Sequence, residues 1–420
     1  MANQPANEIS TTCCVVGGGP AGMMTGFLLA RAGIDVVVLE KHGDFLRDFR
    51  GDTVHPSTLE VMHELGLLDE LLKLPHHEEI QLGGQLGDQF YRMADFSKLP
   101  TRCKFIALMP QWDFLNFLAE KARRYPSFHL HMNAEVTDVL IENERVVGVK
   151  ASTTDGDLVI KAQLTIGADG RSSIVRDRAN FKVEDIGAPM DVLWFKLSRK
   201  ETDPGYTFGR IKAGVIMIML NRDDYWQCGF VIAKGKFEQY KQEGVEQFRS
   251  RVKDVAPFLE DRLEELTDWD HIKLLTVKVD RLKEWCREGL LCIGDSAHAM
   301  SPIGGVGINL AIQDAVATAN ILYSPLLDGK LNLDHLHKVQ ERRHFPTVMT
   351  QSLQVLLQNR FVKPTLESTT PLSPPPFLLM MDKHPRLRSI PATIVGIGFR
   401  AEHIHCPDNS LKVSGKSKSS

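Results

Sequence analysis

The chain has 420 residues, of which 43% are hydrophobic and 25% charged, and its net charge is −3. This length holds two or three domains, and the weak charge gives no reason to expect nucleic acid or an anionic membrane as a partner. The apolar run 23–32 is too short to span a bilayer and follows no basic leader, so we expect a core helix in a cytoplasmic protein. The seven cysteines include no Cys-x-x-Cys spacing, and we therefore expect no metal site.

The first half of the chain alternates short apolar strands with amphipathic helices. Residues 12–16 predict a strand, 20–32 a helix and 35–39 a second buried strand, which together form a βαβ unit. Two more helices are predicted over 56–68 and 111–124. Further strands are predicted over 128–132, 135–142, 145–152 and 158–166.

From residue 183 to 279 the pattern changes to strands separated by turn signals, over 192–197, 214–220 and 226–232, with a helix over 237–266. After residue 295 the chain becomes helical to about residue 362. We therefore expect an α/β protein whose dinucleotide-binding domain is discontinuous. The expected parts are that domain (10–75, 100–182 and 280–325), a sheet domain (76–99 and 183–279), a C-terminal helical region (326–409) and disordered tails (1–9 and 410–420).

A glycine-rich loop joins the first strand to the first helix, with Gly17, Gly19 and Gly22 in the pattern G-x-G-x-x-G. The first glycine permits a tight turn, the second lets the backbone approach a pyrophosphate, and the third lets helix and strand pack closely. A carboxylate at the end of the second strand can accept hydrogen bonds from ribose hydroxyls. The competing interpretation is a tight turn without a ligand. The residues expected at the dinucleotide are Gly17, Gly19, Pro20, Ala21, Gly22, Glu40 and Lys41.

Two later stretches repeat the arrangement of an apolar strand followed by glycine and aspartate. The first has the pattern Gly-x-Asp-Gly-x-x-Ser-x-x-Arg, filled by Gly167, Asp169, Gly170, Ser173 and Arg176. The second places Asp295 after the strand 290–293 and continues as Pro-x-Gly-x-x-Gly-x-Asn-x-x-x-x-Asp, filled by Pro302, Gly304, Gly307, Asn309 and Asp314. An ordinary turn or helix start does not explain so many placed residues.

With these three motifs in this order, the chain resembles the group A flavoprotein monooxygenases, the para-hydroxybenzoate hydroxylase-like FAD-dependent aromatic hydroxylases. The resemblance covers about residues 12–330. It implies a Rossmann-like FAD-binding domain of the glutathione reductase type, with an inserted, mainly antiparallel sheet that binds substrate. One departure is Ser296, where alanine is commoner.

The resemblance also implies roles for single residues. Asp295 matches the aspartate that contacts the FAD ribityl hydroxyls, and Asp169-Gly170 matches a segment tied to FAD and reduced nicotinamide. The residues implied near the flavin ring, the pyrophosphate or the pocket wall are Arg50, Gln111, Pro302, Gly304, Gly307, Ile308 and Asn309.

The function implied is hydroxylation of an aromatic or otherwise apolar small molecule, using FAD, NADPH or NADH, and O₂, through a flavin C4a-hydroperoxide. No protein nucleophile is needed. Two alternatives stay open: an FAD-dependent dehydrogenase or oxidase on the same fold, and a flavin-binding redox sensor without turnover. A non-flavin NAD-dependent dehydrogenase fits least. Monomer and homodimer are both compatible with the sequence.

Substrate contacts are expected on the inserted sheet, where the run 215–220 carries no charged residue and so favours an apolar substrate. Strand alternation suggests Trp194, Arg210, Met217, Met219, Tyr225 and Trp226, although core packing is the alternative for each. Among the histidines, His55 could approach the substrate or simply begin a helix, and His298 is expected to be structural. The triplet of His403, His405 and Cys406 supplies no fourth ligand and predicts no metal site.

Overall fold

The computed structural model describes residues 7–46 and 53–409. Within these residues the helices are α1 (Pro20–Arg31), α2 (Pro56–Glu64), α3 (Leu68–Leu71), α4 (Gln111–Ala122), α5 (Ile174–Arg178), α6 (Phe237–Glu243), α7 (Val245–Val255), α8 (Gly307–Leu327), α9 (Leu333–Leu357), α10 (Lys363–Glu367), α11 (Pro376–Lys383) and α12 (Ser389–Gly396). Short 3₁₀ turns add Phe96–Lys98, Pro257–Glu265, Trp269–His271, Gly294–Ser296, Ile303–Gly305 and Pro385–Arg388, and a π-helical turn, Gln358–Val362, joins α9 to α10. None of the helices described is long and apolar enough to cross a membrane.

The strands of the same residues are β1 (Asn7–Val16), β2 (Val36–Leu39), β3 (Thr53–Val54), β4 (His77–Glu79), β5 (Gln81–Leu86), β6 (Gln89–Asp95), β7 (Ile106–Leu108), β8 (Phe128–His131), β9 (Glu135–Glu142), β10 (Arg145–Thr153), β11 (Gly156–Gly167), β12 (Val183–Asp185), β13 (Met190–Ser198), β14 (Phe208–Lys212), β15 (Val215–Asn221), β16 (Tyr225–Ala233), β17 (Lys273–Leu275), β18 (Asp280–Leu282), β19 (Cys286–Arg287) and β20 (Leu290–Cys292). They form two large sheets and two small ones.

The first large sheet has the strand order β19-β20-β11-β1-β2-β8, and its five strands from β20 to β8 run parallel. Strand β2 consists of four buried aliphatic residues, as expected for a parallel strand covered on both faces. Strand β1 begins at Asn7, which lies opposite Leu158 of β11. The expectation of a disordered tail is therefore wrong for residues 7–9, because their backbone continues the pairing with β11.

The second large sheet has the order β17-β13-β16-β15-β14-β5-β6, so strands from 81–95 and from 190–275 share one sheet. Most neighbouring pairs are antiparallel, and β5 joins β14 in parallel. One face is covered by α7 and the turn Pro257–Glu265, and we call it the helix-covered face. The opposite face packs with Ile303 and with side chains of the C-terminal helices, and we call it the Ile303 face.

Two parts of the chain differ from the sequence prediction. The helix predicted over 237–266 is broken into α6, α7 and a 3₁₀ turn, because Gly244 adopts φ +90° and Pro257 begins the last segment. The described residues end with the segment 400–409, which contains no helix or strand and which we call the C-terminal strap. It lies across α1 and α8, where Arg31 Nη1 donates to Cys406 O (2.9 Å) and Asn320 Nδ2 donates to His403 O (2.7 Å).

Candidate functional site

The three motifs meet at one edge of the parallel sheet, where β1, β11 and β20 end. Val16 lies opposite Gly167, and Gly167 lies opposite Cys292. Backbone hydrogen bonds continue past the strands, with Ala168 N donating to Val16 O (2.8 Å) and Ile293 N donating to Gly167 O (3.0 Å). The fold therefore places stretches separated by more than 100 residues side by side, at the carboxyl edge where α/β sheets bind ligands.

The glycines of the first loop differ in what surrounds them. Gly17 adopts φ +107°, and a Cβ there would lie 2.4 Å from Ala168 O. At Gly22 a Cβ would lie 1.9 Å from Gly17 O. A Cβ at Gly19 would meet no atom within 4 Å. The chain's own packing thus requires the first and third glycines, whereas the second borders open space.

That open space lies at the N-terminus of α1. Gly19 is the N-cap residue and Pro20 follows it in the first turn, with no side chain capping the backbone N–H groups. Uncapped N–H groups and the positive end of the helix dipole form an anion-binding site. Ala21 is buried, and a Cβ at Gly294 would lie 3.0 Å from its Cβ, so α1 begins directly against the third motif.

Glu40 follows β2 and reaches back to the glycine loop. Its Oε2 accepts the Gly18 N–H (2.9 Å), and its Oε1 accepts the His42 N–H (3.0 Å). A carboxylate offers about four lone-pair positions, so it can accept several donors at once. The neighbouring Lys41 is exposed to solvent.

Asp169 is the residue of the second motif whose contacts point most directly to a ligand. Its Oδ2 accepts the Val175 N–H (3.2 Å), whereas its Oδ1 is buried with no hydrogen-bond partner in the described part of the chain. Burial raises the pKa of Asp169, and hydrogen bonds from the Ser173 side chain and the Val175 N–H oppose that shift. A buried oxygen without a donor is costly, so this carboxyl fits a ligand that supplies one. Gly170 makes the turn at φ +83°.

Asp295 of the third motif lies 3.2 Å from Arg171, whose Nη2 donates to its Oδ2. Arg171 belongs to the second motif, so the two aspartate motifs are joined by an ion pair that sequence reasoning missed. The neighbouring Ser296 donates its hydroxyl to Gly167 O (2.6 Å). The serine that departs from the commoner alanine therefore ties the third motif to β11.

The turn from Pro302 to Asn309 opens α8. Gly304 and Gly305 have φ +80° and +64°, values that a residue with a side chain adopts only with strain. Thr53 Oγ1 donates to Gly305 O (2.9 Å) and holds the turn against β3. A Cβ at Gly307 would meet no atom within 4 Å, so the N-terminus of α8 also borders open space. Pro302 is partly buried, and Ile308, the second residue of the helix, is buried.

Asn309 and His55 are linked behind this turn. Asn309 Oδ1 accepts from the His55 N–H (3.1 Å) and from Thr58 Oγ1 (2.6 Å). The His55 ring donates from Nδ1 to Val395 O (2.7 Å), and burial lowers its pKa to about 4, so the ring is neutral. His55 therefore anchors α12 to α2.

Behind the Gly294–Ser296 turn lies a fully buried charge cluster. Asp314 accepts from His298 Nε2 (2.6 Å) at one oxygen and from Arg343 Nε (2.9 Å) at the other. Burial alone would raise the pKa of Asp314, but His298 and Arg343 together hold it below its usual value. Arg343 was missed because its sequence position, 29 residues after Asp314 on another helix, gives no local signal.

The inserted sheet does not place the predicted substrate residues together. Met217, Met219 and Trp226 are fully buried on the helix-covered face. Arg210 lies on the same side, since its Nη1 donates to Val255 O at the end of α7 (2.9 Å). These four side chains therefore pack under α7 and the turn Pro257–Glu265, away from Ile303, because they share one of the two phases of strand alternation.

The other phase of the strands lies on the Ile303 face and includes two of the predicted residues, Trp194 and Tyr225. On this face, Val192, Ile216 and Val231 pack in one cluster with Ile303. Trp194 belongs to this face, with its indole ring against Gly229, where a Cβ would lie 3.0 Å from the ring. Tyr225 shares the phase of Gly229 on β16 and lies partly exposed at the end of the strand, below the Lys196 ammonium at 4.0 Å.

Three other residues singled out in the sequence are Arg50, Gln111 and His403. Arg50 lies outside the described residues. Gln111 is partly buried and is the first residue of α4. His403 pairs with Glu64 at 2.5 Å. Within residues 7–46 and 53–409, no three His, Cys, Asp or Glu side chains are grouped to hold a metal ion.

Comparison with known proteins gives consistent results. Residues 10–352 match the model of a family described as FAD binding domain. The 6-methylpretetramide 4-monooxygenase of Streptomyces rimosus is 31% identical over 388 residues, which are 92% of this chain and 92% of that protein. The para-nitrophenol 4-monooxygenase of Pseudomonas sp. (strain WBC-3) is 26% identical over 75% of this chain and 78% of that protein. The crystal structure of p-nitrophenol 4-monooxygenase from Pseudomonas putida DLL-E4 matches with a TM-score of 0.73 at 20% identity, covering 94% of this chain and all of that one, and so shares the fold.

Proposed function

The chain belongs to the group A FAD-dependent monooxygenases, and on that premise we propose that FAD lies along the edge where its three motifs meet. The protein is an FAD-dependent oxidoreductase that hydroxylates an aromatic small molecule, with O₂ and NADPH or NADH as co-substrates. The observation that carries the location is the convergence of uncapped helix N-termini at Gly19 and Gly307 with the carboxylates of Asp169 and Asp295.

Each part of the edge suits one part of the cofactor. The backbone N–H groups of Gly19 and Ala21, on either side of Pro20, would donate to the pyrophosphate, and Glu40 would accept from the ribose hydroxyls. Asp295 would accept from the ribityl chain, while the start of α8, at Gly307, Ile308 and Asn309, would face the pyrimidine edge of the ring. The remaining positions proposed at FAD are Gly17, Gly22, Lys41, Arg50, Gln111, Asp169, Gly170 and Gly304.

FAD supplies the redox chemistry and the activation of O₂ when it is bound, and the protein supplies orientation, charge stabilisation and exclusion of water. The positive end of α8 stabilises negative charge at the ring edge that it faces. The buried Asn309, fixed by His55 and Thr58, holds this helix end in place. Pro302 and Ile303 would separate the ring from the inserted sheet, whose side chains pack against Ile303.

We propose that the substrate binds on the Ile303 face of the inserted sheet, against Trp194, Ile216 and Val231. These side chains are apolar or aromatic, which favours an aromatic substrate over a small polyanion. In this proposal the parallel sheet belongs to a discontinuous FAD-binding domain of the glutathione reductase type. The inserted sheet forms the substrate-binding domain. Since the relative that is 31% identical is named for 6-methylpretetramide, that compound is the first substrate to test.

The test is oxidation of NADPH and NADH by the purified holoenzyme, with 6-methylpretetramide and p-nitrophenol as alternative substrates. We expect one aromatic substrate to accelerate nicotinamide oxidation and to be recovered as a hydroxylated product. Acceleration that yields only hydrogen peroxide would identify an effector and not a substrate. Reduction or desaturation of the substrate without added oxygen would instead support a dehydrogenase.

A further inference from the structure

We propose that the C-terminal strap is a working part of the FAD site, because Glu402 acts through Arg343 and Asp314 to position the Gly294–Ser296 turn. Asp314, Arg343 and Glu402 are positioning residues in this scheme, since none of them is proposed to touch FAD itself. The inference rests on the proposed function, in which Asp295 of this turn accepts from the ribityl chain.

The first link joins Asp314 to the turn. Asp314 Oδ2 accepts the Gly294 N–H at 3.0 Å and also accepts from His298 Nε2 at 2.6 Å. Gly294 O in turn accepts the backbone N–H groups of Ala297 and His298, both at 2.9 Å. Both polar backbone groups of Gly294 are thus fixed, and Gly294 itself adopts φ +60°. The direction in which Asp295 leaves the turn therefore depends on the position of the Asp314 carboxylate.

The second link joins Asp314 to the strap. Arg343 donates from Nε to Asp314 Oδ1 (2.9 Å) and from Nη1 to Glu402 Oε1 (3.1 Å). Asp314, Arg343 and Glu402 are 0%, 1% and 6% exposed, so solvent does not screen these contacts. Arg342 holds the far side of Glu402 through bonds to both carboxylate oxygens (2.8 and 3.1 Å). Loss of Glu402 would leave Arg343 partly unpaired in the interior, where a charge seeks another partner.

The strap has other anchors that do not belong to this relay. Asn320 Oδ1 accepts the N–H groups of His405 (2.8 Å) and Cys406 (3.0 Å), and Tyr125 donates its hydroxyl to Asp408 (3.2 Å). These contacts hold the strap to α8 and to the turn that follows α4, without touching Asp314 or Gly294. A purely structural strap would depend on both groups of contacts alike, whereas the relay predicts that only the Glu402 group affects FAD.

The test measures FAD release from the holoenzyme, as free-flavin fluorescence at equilibrium after dilution, well below the melting temperature of each variant. We expect Glu402→Gln and Asp314→Asn each to raise the Kd for FAD about tenfold or more and to shift the absorption spectrum of the bound flavin. The matched control, Tyr125→Phe, removes a strap anchor outside the relay and should leave both the Kd and the spectrum unchanged. Arg343→Lys keeps the charge but loses the fork of donors, so its Kd should lie between wild type and Glu402→Gln.

Lower melting temperatures with an unchanged Kd and spectrum in both relay variants would overturn the inference and make the strap a structural clamp. If Glu402→Gln does not fold, Arg342→Gln decides, because Arg342 contacts Glu402 from a half-exposed position. A smaller rise in Kd for Arg342→Gln supports the relay, and an unchanged Kd overturns it. An Asp295→Ala variant tests the placement of FAD separately from the relay. An unchanged Kd there refutes the placement of FAD, whereas a raised Kd with normal relay variants refutes only the relay.

Discussion

Replacing Gly19 with alanine should weaken FAD binding without destabilising the fold. Gly19 has φ −74° and ψ −176°, an extended conformation that alanine adopts freely, and the added Cβ meets no protein atom within 4 Å. Alanine restricts the unfolded chain, which stabilises by about 0.4–1 kcal/mol, but it is a poorer N-cap residue than glycine by a similar amount. The free energy of unfolding of the cofactor-free protein should therefore change by less than about 0.5 kcal/mol.

The cost falls on the cofactor instead. The new methyl group would occupy the space in which the pyrophosphate approaches the first turn of α1. Displacing a phosphate oxygen from one backbone N–H removes a charge-assisted hydrogen bond worth about 1.5–3 kcal/mol. The Kd for FAD should therefore rise by roughly 10- to 150-fold.

Gly17→Ala provides the contrast within the same loop. Its Cβ would lie 2.4 Å from Ala168 O at φ +107°, so the substitution adds strain of about 1–3 kcal/mol together with a backbone displacement. The assay is an FAD titration followed by fluorescence quenching, with urea unfolding of each cofactor-free variant. Gly17→Ala should lower the stability, and Gly19→Ala should change only the Kd. A Gly19→Ala protein that binds FAD as wild type does would refute the placement of the pyrophosphate.

Three other outcomes follow from the same contacts. Since His55 has a pKa of about 4 when folded and 6.5 when unfolded, the unfolded state gains the proton first, and stability falls by about 3 kcal/mol between pH 6.5 and pH 4. Urea unfolding over this range should show that loss in wild type and a flatter profile in His55→Gln, and equal profiles would contradict a buried neutral ring. Gly22→Ala should prevent folding or lower the melting temperature steeply, because its Cβ would lie 1.9 Å from Gly17 O, and a normal melting temperature would show that the loop adapts. Trp194→Ala should raise KM for the aromatic substrate with an unchanged Kd for FAD, while Met217→Leu on the helix-covered face should leave KM unchanged; the reverse result would place the substrate on the other side of the sheet.

The cofactor edge was predictable from sequence because each of its parts is local. At Gly17 and at Gly307, the pattern of a strand, a glycine turn and a helix start can be recognised from the neighbouring sequence alone. Parallel strands must end at a common edge, which brings Asp169 and Asp295 together once the strand order is set. The motifs therefore predicted both the fold class and the chemistry of this edge.

The inserted sheet was not predictable in the same way. Alternation divides β15 into two sets of side chains, and both sets are apolar in the run 215–220, so the pattern does not say which set meets α7. Met217 and Trp226 lie in the set that packs under α7, whereas Trp194 lies in the other set. The relay from Asp314 to Glu402 was also invisible, because its members lie on three segments that only the finished fold brings together.

The central claim is that this protein transfers one oxygen atom from O₂ to an aromatic substrate. The most direct measurement is the mass of the product formed by the holoenzyme with reduced nicotinamide under isotopically labelled O₂. We expect a product that carries one labelled oxygen atom in a new hydroxyl group. A product without the label, formed at a comparable rate under the same conditions, would contradict it.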